Sequence, residues 1–168
     1  MIRLLCEKVA KHLPSITIPK PDGSPYLTRY FILGEERPGV NVFLHYFHSS
    51  DMDRSPENGS LLLHNHSWKH SLSLILFGGY SEERRIHPKD ERPRIIRREF
   101  PAGSLNYINN KDVHRVDLLN EKKGGWSLFM TSARPHKNDR WYFWDRLTEE
   151  YTDAEVMLNR MGKKVFIP

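Results

Sequence analysis

Leu63-His64-Asn65-His66-Ser67-Trp68-Lys69-His70, running into Leu72-Ser73-Leu74-Ile75-Leu76-Phe77-Gly78-Gly79-Tyr80, decides the fold. His64 and His66 are two apart, and side chains two apart on a β-strand point to one face. Two imidazoles on one face, followed by an apolar run and a glycine turn, can hold a transition metal inside a small barrel. A second segment runs from Pro101-Ala102-Gly103-Ser104 through Tyr107-Ile108-Asn109-Asn110 to His114-Arg115-Val116. It can supply a third imidazole from His114.

The surrounding chain fits a small all-β domain. At 168 residues it has the size of one ordinary domain with a real core. It is 38% hydrophobic and 28% charged, with no apolar run approaching the roughly 20 residues of a membrane helix. The N-terminus carries charge too early for a secretory leader, so a cytoplasmic location is expected, with no membrane partner. A single cysteine excludes an internal disulfide framework. Cys6 lies among Ile2, Leu5, Val9 and Leu13 at helical spacing and reads as a small apolar residue on a helix face. The net charge of +5 is spread among acids, and the densest basic run, Arg84 to Arg98, reads as a solvated hairpin. A nucleic-acid surface would need a one-sided basic stripe, and no such partner is expected; attraction of an anionic small molecule is equally compatible with the charge.

Residues 1–13 predict an amphipathic helix ended by Pro14, followed by a proline-rich extended connection to Pro25. Strands are expected over Tyr26–Leu33 and Val40–His48, separated by a turn at Gly34–Gly39, with a polar loop over Ser49–Ser60. The His-rich strand, Leu72–Phe77, Ser81–Ile86, Arg94–Phe100, Gly103–Ile108, Val113–Leu119 and Trp126–Thr131 complete the set. Gly124-Gly125 is read as the last hairpin turn. Thr152-Asp153-Ala154-Glu155 is a capping box that starts a short helix closed by Gly162. Nine or ten short strands suggest a closed or double-sheet architecture. The expected organisation is an N-terminal helix and linker over 1–20, a barrel over 21–146, and a C-terminal helix and tail over 147–168.

These motifs resemble the cupin superfamily, whose fold is a double-stranded β-helix or jelly-roll barrel. Gly59, His64, His66 and Gly78 fit the first cupin motif, and Pro101, Gly103 and His114 fit the second. Within cupins the pattern resembles the cysteine-dioxygenase type of thiol dioxygenase. His64, His66, His70 and Gly78 match its first segment, and Tyr107-Ile108-Asn109 with His114-Arg115-Val116 match its second. Thr28-Arg29 resembles the pair whose arginine binds the substrate carboxylate in that family. The family's Ser-x-His-x-Tyr strand reads Ser127-Leu128-Phe129-Met130-Thr131 here, so its histidine and catalytic tyrosine are missing. Ser71 stands where that family has a crosslinking cysteine. The chain is also similar to small uncharacterised phage and bacterial cupins with an HxHxW segment and a Trp-rich tail.

The resemblance and the residues together give the candidate site. His64, His66 and His114 are the expected metal ligands, with Fe(II) the first choice and Mn, Ni or Zn able to use the same imidazoles. His70 or Ser71, depending on the gap, occupies the slot of the usual glutamate, and His70 could serve there as a fourth ligand, as a hydrogen bonder to a ligand, or as a structural residue. Arg29 is a candidate anion clamp, since a guanidinium presents a bidentate fork to a carboxylate or phosphate; a surface ion pair is the plainer reading. Tyr46, Tyr80 and Tyr107 either donate an O–H to substrate or pack. Among His45 and His48, whose separation is odd, at most one faces the cavity, while His12, His87 and His136 read as solvent-facing. In Trp141-Tyr142-Phe143-Trp144 two rings must point each way, to lid the barrel, to stack a ligand as Trp141 could, to form a homodimer contact, or to fill the core. The expected function is a metal-dependent cupin, a mononuclear non-haem iron oxygenase for a small anionic substrate such as a thiol. The alternatives are a non-oxidative isomerase or hydrolase, and a non-catalytic cupin that sequesters an anionic small molecule.

Overall fold

A computed structural model describes residues 1–20, 22–33, 39–51, 53–87, 92–132 and 141–162. Most of the Gly34–Gly39 turn, and His136, lie outside the described residues. The chain opens with α1 (Ile2–Ala10), then β1 (Ser15–Pro19), β2 (Pro25–Leu33), β3 (Asn41–Phe47) and β4 (Leu62–His64). There follow β5 (His70–Phe77), β6 (Gly79–Ile86), β7 (Arg94–Pro101), β8 (Leu105–Asn109) and β9 (Val113–Leu118). The chain then forms β10 (Gly125–Thr131), β11 (Tyr142–Asp145), β12 (Tyr151–Asp153) and α2 (Ala154–Arg160).

The strands form two six-stranded antiparallel sheets, ordered β1-β2-β3-β10-β5-β8 and β12-β11-β4-β9-β6-β7. This is the all-β jelly roll that the short-strand pattern implies, with a helix at each end. The connection read as plain linker contributes β1, which pairs with β2 and extends the first sheet.

Alternation along the first sheet places polar and aromatic side chains inward. Arg29, His45, Ser127 and Ile75 share one register row, and Phe31, Phe43, Phe129, Ser73 and Asn106 share the next. The opposite face mixes aliphatic and aromatic side chains and is partly covered by α1. The helix does not bury its expected stripe. Cys6 and Ala10, one turn apart, face Leu44 and Trp126, whereas Leu4 and Leu5 stay 63% and 56% exposed. Two small residues let the helix lie close to a sheet whose surface already carries Trp126 and Tyr46.

Gly124-Gly125 does not close a hairpin, because β9 and β10 belong to different sheets. It is a crossing between layers, as is Gly78 between β5 and β6. The two crossings press together. Gly78 has φ +77°, and a Cβ there would stand 2.4 Å from the carbonyl oxygen of Gly124. Both the left-handed backbone and the backbone contact exclude a side chain. Gly78→Ala is expected to cost roughly 2–4 kcal/mol, read from the urea midpoint. A loss under about 0.5 kcal/mol, the range of ordinary surface substitutions, would refute this account.

The four aromatics of 141–144 split as alternation requires. Tyr142 and Trp144 pack with Leu63, Val113 and Ile95, while Trp141 and Phe143 pack with Leu62 and the α2 residues Met157 and Leu158. The α2 N-cap is Asp153, whose carboxylate accepts from the Glu155 backbone N–H at 2.9 Å.

Candidate metal centre

His64 and His114 face each other across the β4–β9 pair, a register that follows from neither residue's local sequence. Directly opposed side chains on one face lie close enough to share a ligand. His66 arrives differently. β4 ends at His64, so strand alternation does not carry His66 to the same face. Asn65 does the work instead. Its backbone N–H donates to the Tyr142 carbonyl at 3.2 Å, and its side-chain Oδ1 accepts from the Tyr142 N–H at 2.8 Å. Its Nδ2 donates to the Asn110 carbonyl at 3.0 Å. Fully buried, Asn65 fixes the loop that turns His66 inward.

The three imidazoles place one donor atom each within 4.8 Å of one another. His66 Nε2 and His114 Nε2 are 2.7 Å apart, and the ring centroids lie 4.9–5.5 Å apart. The far side of the cluster is equally specific. His114 Nδ1 meets Glu82 Oε1 at 2.5 Å, and His64 Nδ1 meets Asp51 Oδ2 at 3.2 Å. A carboxylate that holds the Nδ1 proton, as Glu82 does for His114, leaves the Nε2 lone pair directed inward, the tautomer a metal requires, while Asp51 lies at ion-pair distance from His64. Burial pushes His66 well below the ordinary imidazole range, aided by His114 and His64, and burial lowers His114 against the opposing pull of Glu82. Neutral imidazoles with anchored outer nitrogens fit a divalent transition ion.

Glu82 is the centre of a buried network. Burial raises its carboxyl, but His114, Arg84 and Asn106 outweigh that and hold it below the usual range. Arg84 donates to Glu82 Oε2 and to Asn106 Oδ1, both at 2.7 Å. Asn106 Nδ2 donates to Glu82 Oε1 and to the Tyr80 hydroxyl, both at 3.1 Å. Glu82 lies on the hairpin read as solvated, yet only 2% of it is exposed. Its position two residues from Tyr80, on the same strand face, was the available signal.

The remaining candidates separate. Arg29 stands beside the centre and contributes to the lowering of His66. Its guanidinium lies 4.8 Å from the Phe43 ring centroid and 5.3 Å from that of Trp68, and its Nε donates to His45 Nε2 at 3.2 Å. His45 is the inward member of the His45–His48 pair, stacked on Phe129 at 4.8 Å, while His48 bonds Thr28. Phe129 and Thr131 offer an aromatic wall and a hydroxyl bonded to Asn41.

His70 is not brought to the imidazole cluster. It opens β5 in an exposed position, where its Nδ1 meets the Tyr107 hydroxyl at 2.6 Å. Tyr107 is itself half exposed, on the outer face of β8. Tyr46 also points outward, against Trp126 at 4.7 Å, because it alternates with His45. Trp141 packs against α2 and Phe143 rather than presenting a free ring. His12 and His87 are exposed. No helix among the described residues is long and apolar enough to cross a membrane.

No family model matches the chain, and no curated protein matches it in sequence. Solved structures do match in fold. The Fe(II) enzyme HppE in complex with substrate superposes with a TM-score of 0.52 at 10% identity, over 73% of this chain and 57% of that one. Oxalate decarboxylase from Bacillus subtilis gives a TM-score of 0.51 at 14% identity, over 92% of this chain and 36% of that one. The chain thus spans little more than half of HppE and about a third of the decarboxylase. Both are cupin barrels, and the fold of this chain is the cupin jelly roll.

Proposed function

We propose that the protein is a metal-dependent cupin whose His64, His66 and His114 hold a mononuclear Fe(II), and that it oxygenates a small anionic substrate, thiols included. The supporting observation is the two-sided geometry of the cluster. Its inner nitrogens converge while two outer nitrogens rest on buried carboxylates, an arrangement that a merely structural histidine does not need. Iron bound there would supply open coordination positions for substrate and O₂. The fold match to an Fe(II) enzyme is consistent with this choice, and Mn, Ni or Zn would accept the same donors.

The protein's own residues would do the rest. Three neutral donors leave the ion's charge for a ligand to offset, which favours an anion. Arg29 would orient the anionic group, its guanidinium lying over the neighbouring Phe43 and Trp68 rings. Phe43, Trp68 and Phe129 would keep water from the inner side. Phe129 and Thr131 provide no strong acid or base, which disfavours cysteine itself as substrate. The same observation favours, as a second reading, a cupin that binds an anionic molecule without turnover.

Elemental analysis of the purified protein beside a His64→Ala/His114→Ala variant tests the metal. About one iron per chain, as a mononuclear site requires, lost in the variant, is the expected result. No metal retained after anaerobic Fe(II) addition would overturn the proposal. With iron in place, O₂ uptake across small thiols and other anions distinguishes turnover from binding.

A further inference from the structure

His45 sits on the inner face of the first sheet and is 3% exposed. It stands opposite Arg29 in the β2–β3 register and opposite Ser127 in the β3–β10 register. Aromatic neighbours fix the plane of its ring, which stacks on Phe129 at 4.8 Å and on Phe43 at 5.8 Å and meets Phe47 edge-on at 6.1 Å. Held in that plane, its Nε2 accepts from Arg29 Nε at 3.2 Å. The ring takes no part in the imidazole cluster, whose donor atoms come from His64, His66 and His114.

What this bond does follows from the shape of a guanidinium. The group donates only in its own plane, and a bidentate contact uses either the Nε–Nη edge or the Nη1–Nη2 edge. The Phe43 and Trp68 rings pack on Arg29, at 4.8 and 5.3 Å from the guanidinium carbon, so polar contact is confined to the edges. With Nε committed to His45, a bidentate contact from Arg29 has to use Nη1 and Nη2. Burial, and then Arg29, hold His45 well below the ordinary imidazole range, which keeps its Nε2 an acceptor.

We propose that His45 is the positioning residue of the anion site: by accepting from Arg29 Nε it sets the Nη1–Nη2 edge toward the ligand, and the ligand group this edge takes is a carboxylate. A carboxylate is flat, shares the plane of the guanidinium and fits its fork. Two further donors beside Arg29 have no partner among the described residues. They are the indole N–H of Trp68, whose ring packs on the guanidinium, and the hydroxyl of Ser127, next to His45 in the same row. Both side chains are at least nine-tenths buried, where donors are ordinarily satisfied. A carboxylate has about four lone-pair sites, two more than the guanidinium edge uses. The proposal rests on the reading of Arg29 as the anion's partner, and not on which metal is bound.

A proton–nitrogen correlation titration of the full, chelator-treated chain with acetate tests it, with the metal kept out of the readout. The expected result is an arginine Nε–H signal protected from exchange, absent in Arg29→Lys, that shifts as acetate binds. His45→Phe keeps a ring and removes the acceptor. It should abolish the protection and raise the acetate dissociation constant about tenfold, the worth of one hydrogen bond to a charged group. His45→Gln restores an acceptor and should bind acetate within about threefold of wild type. Methanesulfonate has the same charge but a tetrahedral head, and the preference for acetate over it should shrink in His45→Phe. Wild-type amide dispersion shows that each variant folds. His45→Phe with wild-type acetate affinity, or His45→Gln as weak as His45→Phe, overturns the positioning role. Equal wild-type affinity for the two anions overturns the carboxylate assignment. Arg29→Lys that binds acetate unchanged, or a wild type that does not bind it, removes the reading of Arg29 and the proposal with it.

Discussion

Removal of the Glu82 carboxylate is expected to produce the largest loss of stability of any single change near the metal centre. Glu82→Ala should cost about 3–5 kcal/mol, the range for breaking a buried charged network by deleting one partner. The carboxylate is 2% exposed and satisfies three groups at once: the His114 Nδ1 proton, the Arg84 guanidinium and the Asn106 amide. Without it Arg84 keeps Asp112, at 3.7 Å, as its remaining acidic partner in the barrel wall. Glu82→Gln separates stability from metal binding. The amide can still accept from His114 but lacks the negative charge that raises the ligand's basicity. Metal affinity should fall by about 10–100-fold while the fold persists. Urea denaturation measures the first effect and chelator competition the second. A Gln variant that binds metal within about twofold of wild type, well inside that range, would show that Glu82 only fills space.

The metal-free protein is expected to lose stability steeply as pH falls below about 6.5, the unfolded imidazole value. His45 and His114 are both buried and both held below the ordinary imidazole range, His45 well below it, by burial and then by Arg29. Folded imidazoles that resist protonation leave the unfolded state binding more protons. Their contribution is therefore fully present above about pH 6.5 and declines as the pH drops through the window below it. Each accounts for up to about 1.4 kcal/mol per pH unit, together about 2.7. Against a typical total of about 5–15 kcal/mol, two units of acidification consume a large share. Glu82 acts in the same direction at lower pH. Its folded value is depressed, so its stabilisation is present above the unfolded carboxyl value of about 4.3 and is lost below it. Urea midpoints from pH 7.5 to 5 on chelator-treated protein give the slope. His45→Phe should reduce the slope by about 1.4 kcal/mol per pH unit. A slope indifferent to that substitution would show that His45 is not a neutral imidazole in the folded state.

The imidazole cluster was legible, but for partly wrong physical reasons. His-x-His suggested a strand with both imidazoles on one face. The strand instead stops at His64, and Asn65, pinned to the backbone of Tyr142 and Asn110, turns His66 inward. His70 matched a family spacing, yet spacing along a chain does not say on which side of a loop the next strand begins. Tyr46 failed for a simpler reason. It neighbours His45 on a strand, and only one of two neighbours can face the barrel.

The sequence by itself determined the elements. Prolines and glycines divided the chain, β-branched and aromatic alternation set the strands, and His64, His66 and His114 were the residues able to hold an ion. Those are local properties, written in neighbours a few positions apart. Tertiary structure alone decided the pairing of His64 with His114, the burial of Glu82 and Asp51 behind them, and the separation of Gly124-Gly125 from any hairpin. Each depends on which strand lies beside which: Glu82 stands 32 positions from His114, and Asn41 pairs with Thr131 90 positions away. Periodicity reports the face a residue takes on its own strand and carries no information about the strand across from it.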